Sequence, residues 1–135
     1  MESMDLAMEE FNYNLGNLED SKYKKDIEFI FGDIRDYDSV NKSVKKVDYV
    51  FHLAALPRVQ ESIDNPIHFE KNNTLSTINI LKACSDSKVK RLVYSASSSA
   101  YGNAINLPLK EDGPVDPISP YAMQKYYGEV ACRMF

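Results

Sequence analysis

Residues 47–55, Val47-Asp48-Tyr49-Val50-Phe51-His52-Leu53-Ala54-Ala55, decide how this chain is read. The apolar run is short enough for a buried strand, and the small residues and Pro57 that follow it close the strand. Working forward, Pro66 suits the first turn of a helix, and Leu75, Ile78 and Leu81 mark an apolar stripe that carries it to about Asp86. Arg91-Leu92-Val93-Tyr94-Ser95 is a further strand. Working back, Asp36 to Lys46 is polar with Val40 and Val44 four apart, which predicts a short one-faced helix. Before it, Ile27-Glu28-Phe29-Ile30-Phe31 ends at Gly32-Asp33 and reads as another buried strand. Asn103 to Pro120 holds four prolines and is loop, and Tyr121 to Phe135 is helical. Residues 1–25 form a polar, acidic leading segment with a loop over Asn12 to Asn17, and residues 26–135 form the folded domain.

This alternation predicts an α/β fold, a doubly wound parallel sheet with right-handed crossovers. In such sheets ligands bind beyond the carboxyl ends of the strands. Asp33, Ala54-Ala55 and Ser95–Ser99 all fall at those ends. The length suits a single domain of modest core. A net charge of -4, with no basic stripe, argues against nucleic acid as a partner. No apolar stretch approaches the roughly 20 residues that span a bilayer. Met1 to Glu10 carries four acidic residues and no basic one, unlike a signal peptide, so a cytoplasmic location is expected. Neither Cys84 and Cys132 nor His52 and His68 have metal-ligand spacing.

Two segments carry candidate chemistry. Ser95-Ala96-Ser97-Ser98-Ser99-Ala100-Tyr101-Gly102 follows the last strand, and Ser119-Pro120-Tyr121-Ala122-Met123-Gln124-Lys125 opens the last helix. Tyr121 and Lys125 are four apart and share one helix face. A cation beside a phenol favours its ionised form, which suits proton transfer. The spacing alone is weak, because nine Tyr and twelve Lys supply roughly one such pair by chance. Its weight comes from the strand-edge serines before it.

The order of motifs resembles the extended short-chain dehydrogenase/reductases, specifically the NAD-dependent nucleotide-sugar epimerases and dehydratases. Gly32-Asp33-Ile34, His52-Leu53-Ala54-Ala55, Asn72-Asn73-Thr74, the serine segment with Tyr101-Gly102, and Pro120-Tyr121 to Lys125 follow one another as in that family. The resemblance implies that Asp33 and Ile34 border the adenine of NAD, and that Leu53, Ala54 and Ala55 run beside its ribose and pyrophosphate. It implies that Asn73 and Ser95 lie near the cofactor and that Lys125 holds the nicotinamide ribose. Ser97, helped by Ser98, would hydrogen-bond the sugar's 4-hydroxyl, and Tyr121 would be the acid/base. In the implied reaction C4 of a UDP-sugar is oxidised, the 4-keto sugar rotates, and hydride returns to its other face. From the residues themselves, Asp33 is as compatible with capping the next turn as with adenine contact. Asn73 equally suits a structural role on its helix, and Arg58 suits a solvated loop.

Dehydratases and decarboxylases of the family carry a carboxylate just before Tyr-Gly. Here that place reads Ser98-Ser99-Ala100, which favours epimerisation of UDP-hexoses, N-acetylhexosamines or hexuronates over dehydration. The family's Gly-x-x-Gly-x-x-Gly loop does not occur in these 135 residues, whose closest glycines, Gly102 and Gly113, lie far apart. The recognisable strands correspond to the third, fourth and fifth of the order 3-2-1-4-5-6. The chain therefore reads as a fragment of that fold, a partial Rossmann-like domain lacking the glycine loop and the substrate domain. Exposed sheet edges would then invite self-association or a complementing chain. The competing expectations are a non-catalytic remnant or interaction module, a truncated gene product, and a dehydratase or decarboxylase.

Overall fold

The computed structural model describes residues 20–104 and 107–135, so the loop expected at Asn12 to Asn17 lies outside the described residues. The chain divides into two compact units, Met1–Phe31 and Gly32–Phe135. In the first, a 3-10 turn, Lys24–Asp26, leads into Ile27–Phe31, which is irregular backbone and not the expected strand. A short apolar run does not by itself distinguish a strand from irregular backbone.

The second unit is α/β. Strands β1 (Tyr49–His52) and β2 (Arg91–Tyr94) pair in parallel with Val50 opposite Leu92 and His52 opposite Tyr94. Both are shorter than the sequence runs suggested, and the ladder continues one bond further where Ser95 N–H donates to the His52 carbonyl at 3.0 Å. Side chains alternate along a strand, so Val50, Leu92, His52 and Tyr94 share one face. Val40 and Val44, at the end of α1 (Tyr37–Ser43), meet Ile80, Ala83 and Cys84 of the long crossover helix in one cluster, with Val50 and Leu92 against it. The opposite face exposes Tyr49, Phe51 and Val93. Among the described residues the sheet is thus covered on one side, whereas a doubly wound sheet is covered on both.

Helix α2 (Val59–Asp64) follows the loop after β1 and has no counterpart in the sequence reading, being too short to show a period. The crossover expected from Pro66 to Asp86 is present but not regular. It runs as α3 (Pro66–Glu70), a π turn (Lys71–Leu75) and α4 (Ser76–Asp86) without leaving helical backbone. Helix α5 (Pro120–Cys132) starts with Pro at its first position and stops short of the expected Phe135.

Candidate active site

Helix α5 is anchored at its start. Pro120 has no N–H to satisfy, Ala122 N–H is capped by Ser119 Oγ at 3.1 Å, and Met123 N–H reaches the Ser119 carbonyl at 3.0 Å. That leaves the Tyr121 N–H, which donates to Ser62 Oγ of α2 at 3.1 Å. Tyr121 itself is half-buried, and Lys125, one turn later, is buried. The Lys125 ammonium sits 4.4 Å from the centroid of the Tyr94 ring, a cation–π contact. Burial lowers the Lys125 pKa, partly countered by Glu129.

Tyr94 lies between several groups. Its ring is 5.3 Å from that of His52, and burial first of all pushes its phenol up to about 12. Gly128 lets the ring lie on α5, since a Cβ there would come within 2.4 Å of Tyr94 Cζ and Oη. His52 is buried, with Thr77 of α4 as its hydrogen-bond partner. Its pKa falls to about 4, chiefly through burial and secondly through the Lys125 charge. His52 Nε2 lies 2.9 Å from Thr77 Oγ1, whose hydroxyl donates to the Asn73 carbonyl at 2.5 Å. With that proton committed, the neutral ring donates through Nε2.

The serine segment forms a 3-10 turn, Ser98–Tyr101, against which α5 packs. Ser97 caps it, accepting from Ser99 N–H at 3.2 Å and donating to Ser99 Oγ at 3.1 Å. Gly102 ends the turn at φ 56°, and a Cβ there would lie 2.0 Å from the Asp116 carbonyl oxygen. Ser95 and Ser98 are exposed at this edge, as are Leu53 and Ala54 beyond β1, while Ala55 is half-buried.

Asn73 is buried at the π turn and clamps this edge to α5. Its Oδ1 accepts from Leu56 N–H at 2.8 Å, and its Nδ2 donates to the Leu56 carbonyl at 3.2 Å and to Gln124 Oε1 at 3.0 Å. Gln124 Nε2 donates on to Glu70 at 3.2 Å. Asp33 accepts from Arg35 N–H at 2.8 Å and holds the Arg35 guanidinium, whose hydrogen bonds are the main cause of its lowered pKa. Ile34 packs on the core cluster, and its carbonyl accepts from Asn79 at 3.2 Å. A cavity of about 590 Å³ between α3 and α5 is lined by Ile67, Met123 and Gln124, and none of the sequence-predicted site residues lines it. The structure thus puts Ser97, Tyr121 and Lys125 on two elements that pack together, with Asn73 tying in the loop after β1. Asp33 makes its hydrogen bonds within its own turn, to Arg35 and Asp36. Sequence reading passed over Ser62, Thr77, Tyr94 and Gln124, because their partners are distant in the chain and no local pattern marks them.

A family profile described as GDP-mannose 4,6 dehydratase matches residues 3–135. The chain belongs to the extended short-chain dehydrogenase/reductase family of nucleotide-sugar epimerases and dehydratases. A UDP-glucose 4-epimerase from Lactobacillus helveticus is 41% identical over 99 residues, 72% of this chain and 30% of the relative. The UDP-N-acetylglucosamine 4-epimerase of Methanobrevibacter ruminantium M1, solved with UDP-N-acetylmuramic acid, superposes with a TM-score of 0.75. It is 40% identical, over 78% of this chain and 34% of that one. The UDP-glucose 4-epimerase of Bifidobacterium longum, solved with NAD+ and UDP, gives 0.73 at 32% identity, over 78% and 32%. The chain spans about a third of the length of these proteins.

Proposed function

We propose that this chain carries the catalytic edge of an NAD-dependent nucleotide-sugar 4-epimerase acting on a UDP-hexose, UDP-N-acetylhexosamine or UDP-hexuronate in the cytoplasm. The observation that carries the reading is the packing of the helix bearing Tyr121 and Lys125 against the turn capped by Ser97. The missing carboxylate before Tyr101-Gly102 supports epimerisation over dehydration.

The residues present fit the nicotinamide end of NAD. Leu53 and Ala54, which are exposed, and Ala55 would run beside its ribose and pyrophosphate, with Ser95 and Asn73 near the cofactor. Asp33 and Ile34 would border its adenine. These 135 residues supply no glycine loop for its pyrophosphate. Bound there, NAD would supply the acceptor and donor for the hydride of the sugar's C4. Tyr121 takes the proton of the sugar's 4-hydroxyl and gives it back, and Ser97, with Ser98, donates to the 4-oxygen. Ser97 does this by turning its proton from Ser99 Oγ to the substrate. Lys125, buried one turn after Tyr121, would hold the nicotinamide ribose.

The test is cofactor content after unfolding, followed by epimerisation assays on the three sugar classes. We expect bound NAD and turnover that Tyr121→Phe lowers by about 100-fold or more. Absence of both cofactor and epimerisation, or unchanged turnover in Tyr121→Phe, overturns the reading. A second reading, a non-catalytic module completed by another copy or a complementing chain, is favoured by the exposed Tyr49, Phe51 and Val93. Sedimentation that shows only monomer, alone or with candidate partners, would reject it.

A further inference from the structure

Every early amide of α5 except one is satisfied by Ser119 or removed by Pro120. The exception belongs to Tyr121, and its acceptor comes from 59 residues away in sequence. We propose that Ser62 is a positioning residue for Tyr121, which deepens the reading above and rests on Tyr121 being its acid/base. Ser62 is fully buried. Its hydroxyl donates to the Val59 carbonyl at 2.6 Å, so the lone pair that faces Tyr121 N–H is fixed in direction. An amide left without a partner at a helix start lets the first turn fray, and Tyr121 occupies that turn.

The placement of Ser62 gives this bond its purpose. Helix α2 begins immediately after the loop 53–58, whose first residues form the exposed edge beyond β1. Ser62 therefore ties the start of the catalytic helix to the segment that would border the cofactor. Asn73 makes a second tie between the same loop, at Leu56, and Gln124 of α5. Of the two, Ser62 acts on the backbone of the phenol-bearing residue. With that backbone held, the ring moves only by rotation about its own side-chain bonds.

Amide hydrogen exchange across α5 in Ser62→Ala, Ser62→Thr and Ser119→Ala tests the proposal whether or not the chain turns over substrate. Ser62→Ala should speed exchange at Tyr121 by about fivefold to tenfold and leave Ala122 nearly unchanged. Ser62→Thr keeps the hydroxyl and should restore protection. Ser119→Ala should show the opposite pattern, with Ala122 losing protection. In enzyme loaded with NAD, Ser62→Ala should lower kcat about tenfold with KM within about twofold, while Ser119→Ala at equal loss of melting temperature leaves kcat within about twofold. Unaltered exchange at Tyr121, or uniform loss along the helix that merely follows melting temperature, overturns the proposal. Equal kcat losses in the two Ser→Ala variants overturn it as well. Should Tyr121→Phe keep full turnover while the exchange pattern holds, the catalytic reading has failed and the Ser62 bond has not.

Discussion

Acidification should destabilise this protein in a window set by one buried imidazole. His52 takes its proton near 6.5 when solvated but only near about 4 when folded, because burial and then the Lys125 charge oppose the cation. Between those values the unfolded chain holds more protons than the native one, so stability rises with pH. The contribution of His52 is complete above 6.5 and drains away as pH falls toward 4. A gap of that size is worth at most about 3 kcal/mol, a large part of the stability of a small domain. The exposed carboxylates of Asp33 and Asp86 are held down chiefly by hydrogen bonds from Arg35 and Lys82, so their contributions persist until pH falls below 3.8. The two effects occupy different ranges. Urea unfolding at stepped pH should therefore show a slope approaching about 1.4 kcal/mol per pH unit between the two His52 values, and His52→Gln should flatten it. Lys125→Met should raise the His52 midpoint without returning it to 6.5, as burial is the larger cause. A His52 proton resonance titrating near 6.5 in the folded protein, or a slope that survives in His52→Gln, would refute the reasoning.

Two further outcomes follow from the packing around α5. Gly128→Ala pushes a methyl into Tyr94 and should cost about 1–3 kcal/mol by thermal melt. The cost should shrink in a Tyr94→Leu background, and an undiminished cost would contradict the packing described. Asn73→Leu strands Leu56 N–H, the Leu56 carbonyl and Gln124, and should lose about 3 kcal/mol in urea. Wild-type stability in that variant would rule out the clamp.

The sheet was legible because β1 and β2 are apolar runs closed by small or polar residues, and the crossover because Pro66 opens a visible stripe. Ile27–Phe31 looked equally strand-like, yet a short apolar run does not by itself separate a strand from irregular backbone. The period of the crossover helix predicted its extent but not the π turn, since the stripe read from the sequence, Leu75, Ile78 and Leu81, starts at the end of that turn and does not cross it. Tyr121, Lys125 and Ser97 stood out by motif. The groups that hold them did not: Ser62 reaches across 59 positions and Gln124 across 51, and a lone Ser or Gln carries no signature of burial.

The π turn at Lys71–Leu75 also bears on which changes in length the chain tolerates. An inserted residue rotates everything after it by about 100° around the helix axis. Asn73, within the turn, is directed toward Leu56 and Gln124, and Ile80, Ala83 and Cys84 after it are directed toward the core cluster. The turn sets the angle between these two attachments. Removing one residue there would yield a more regular helix and a misphased protein, with either the clamp or the core facing solvent.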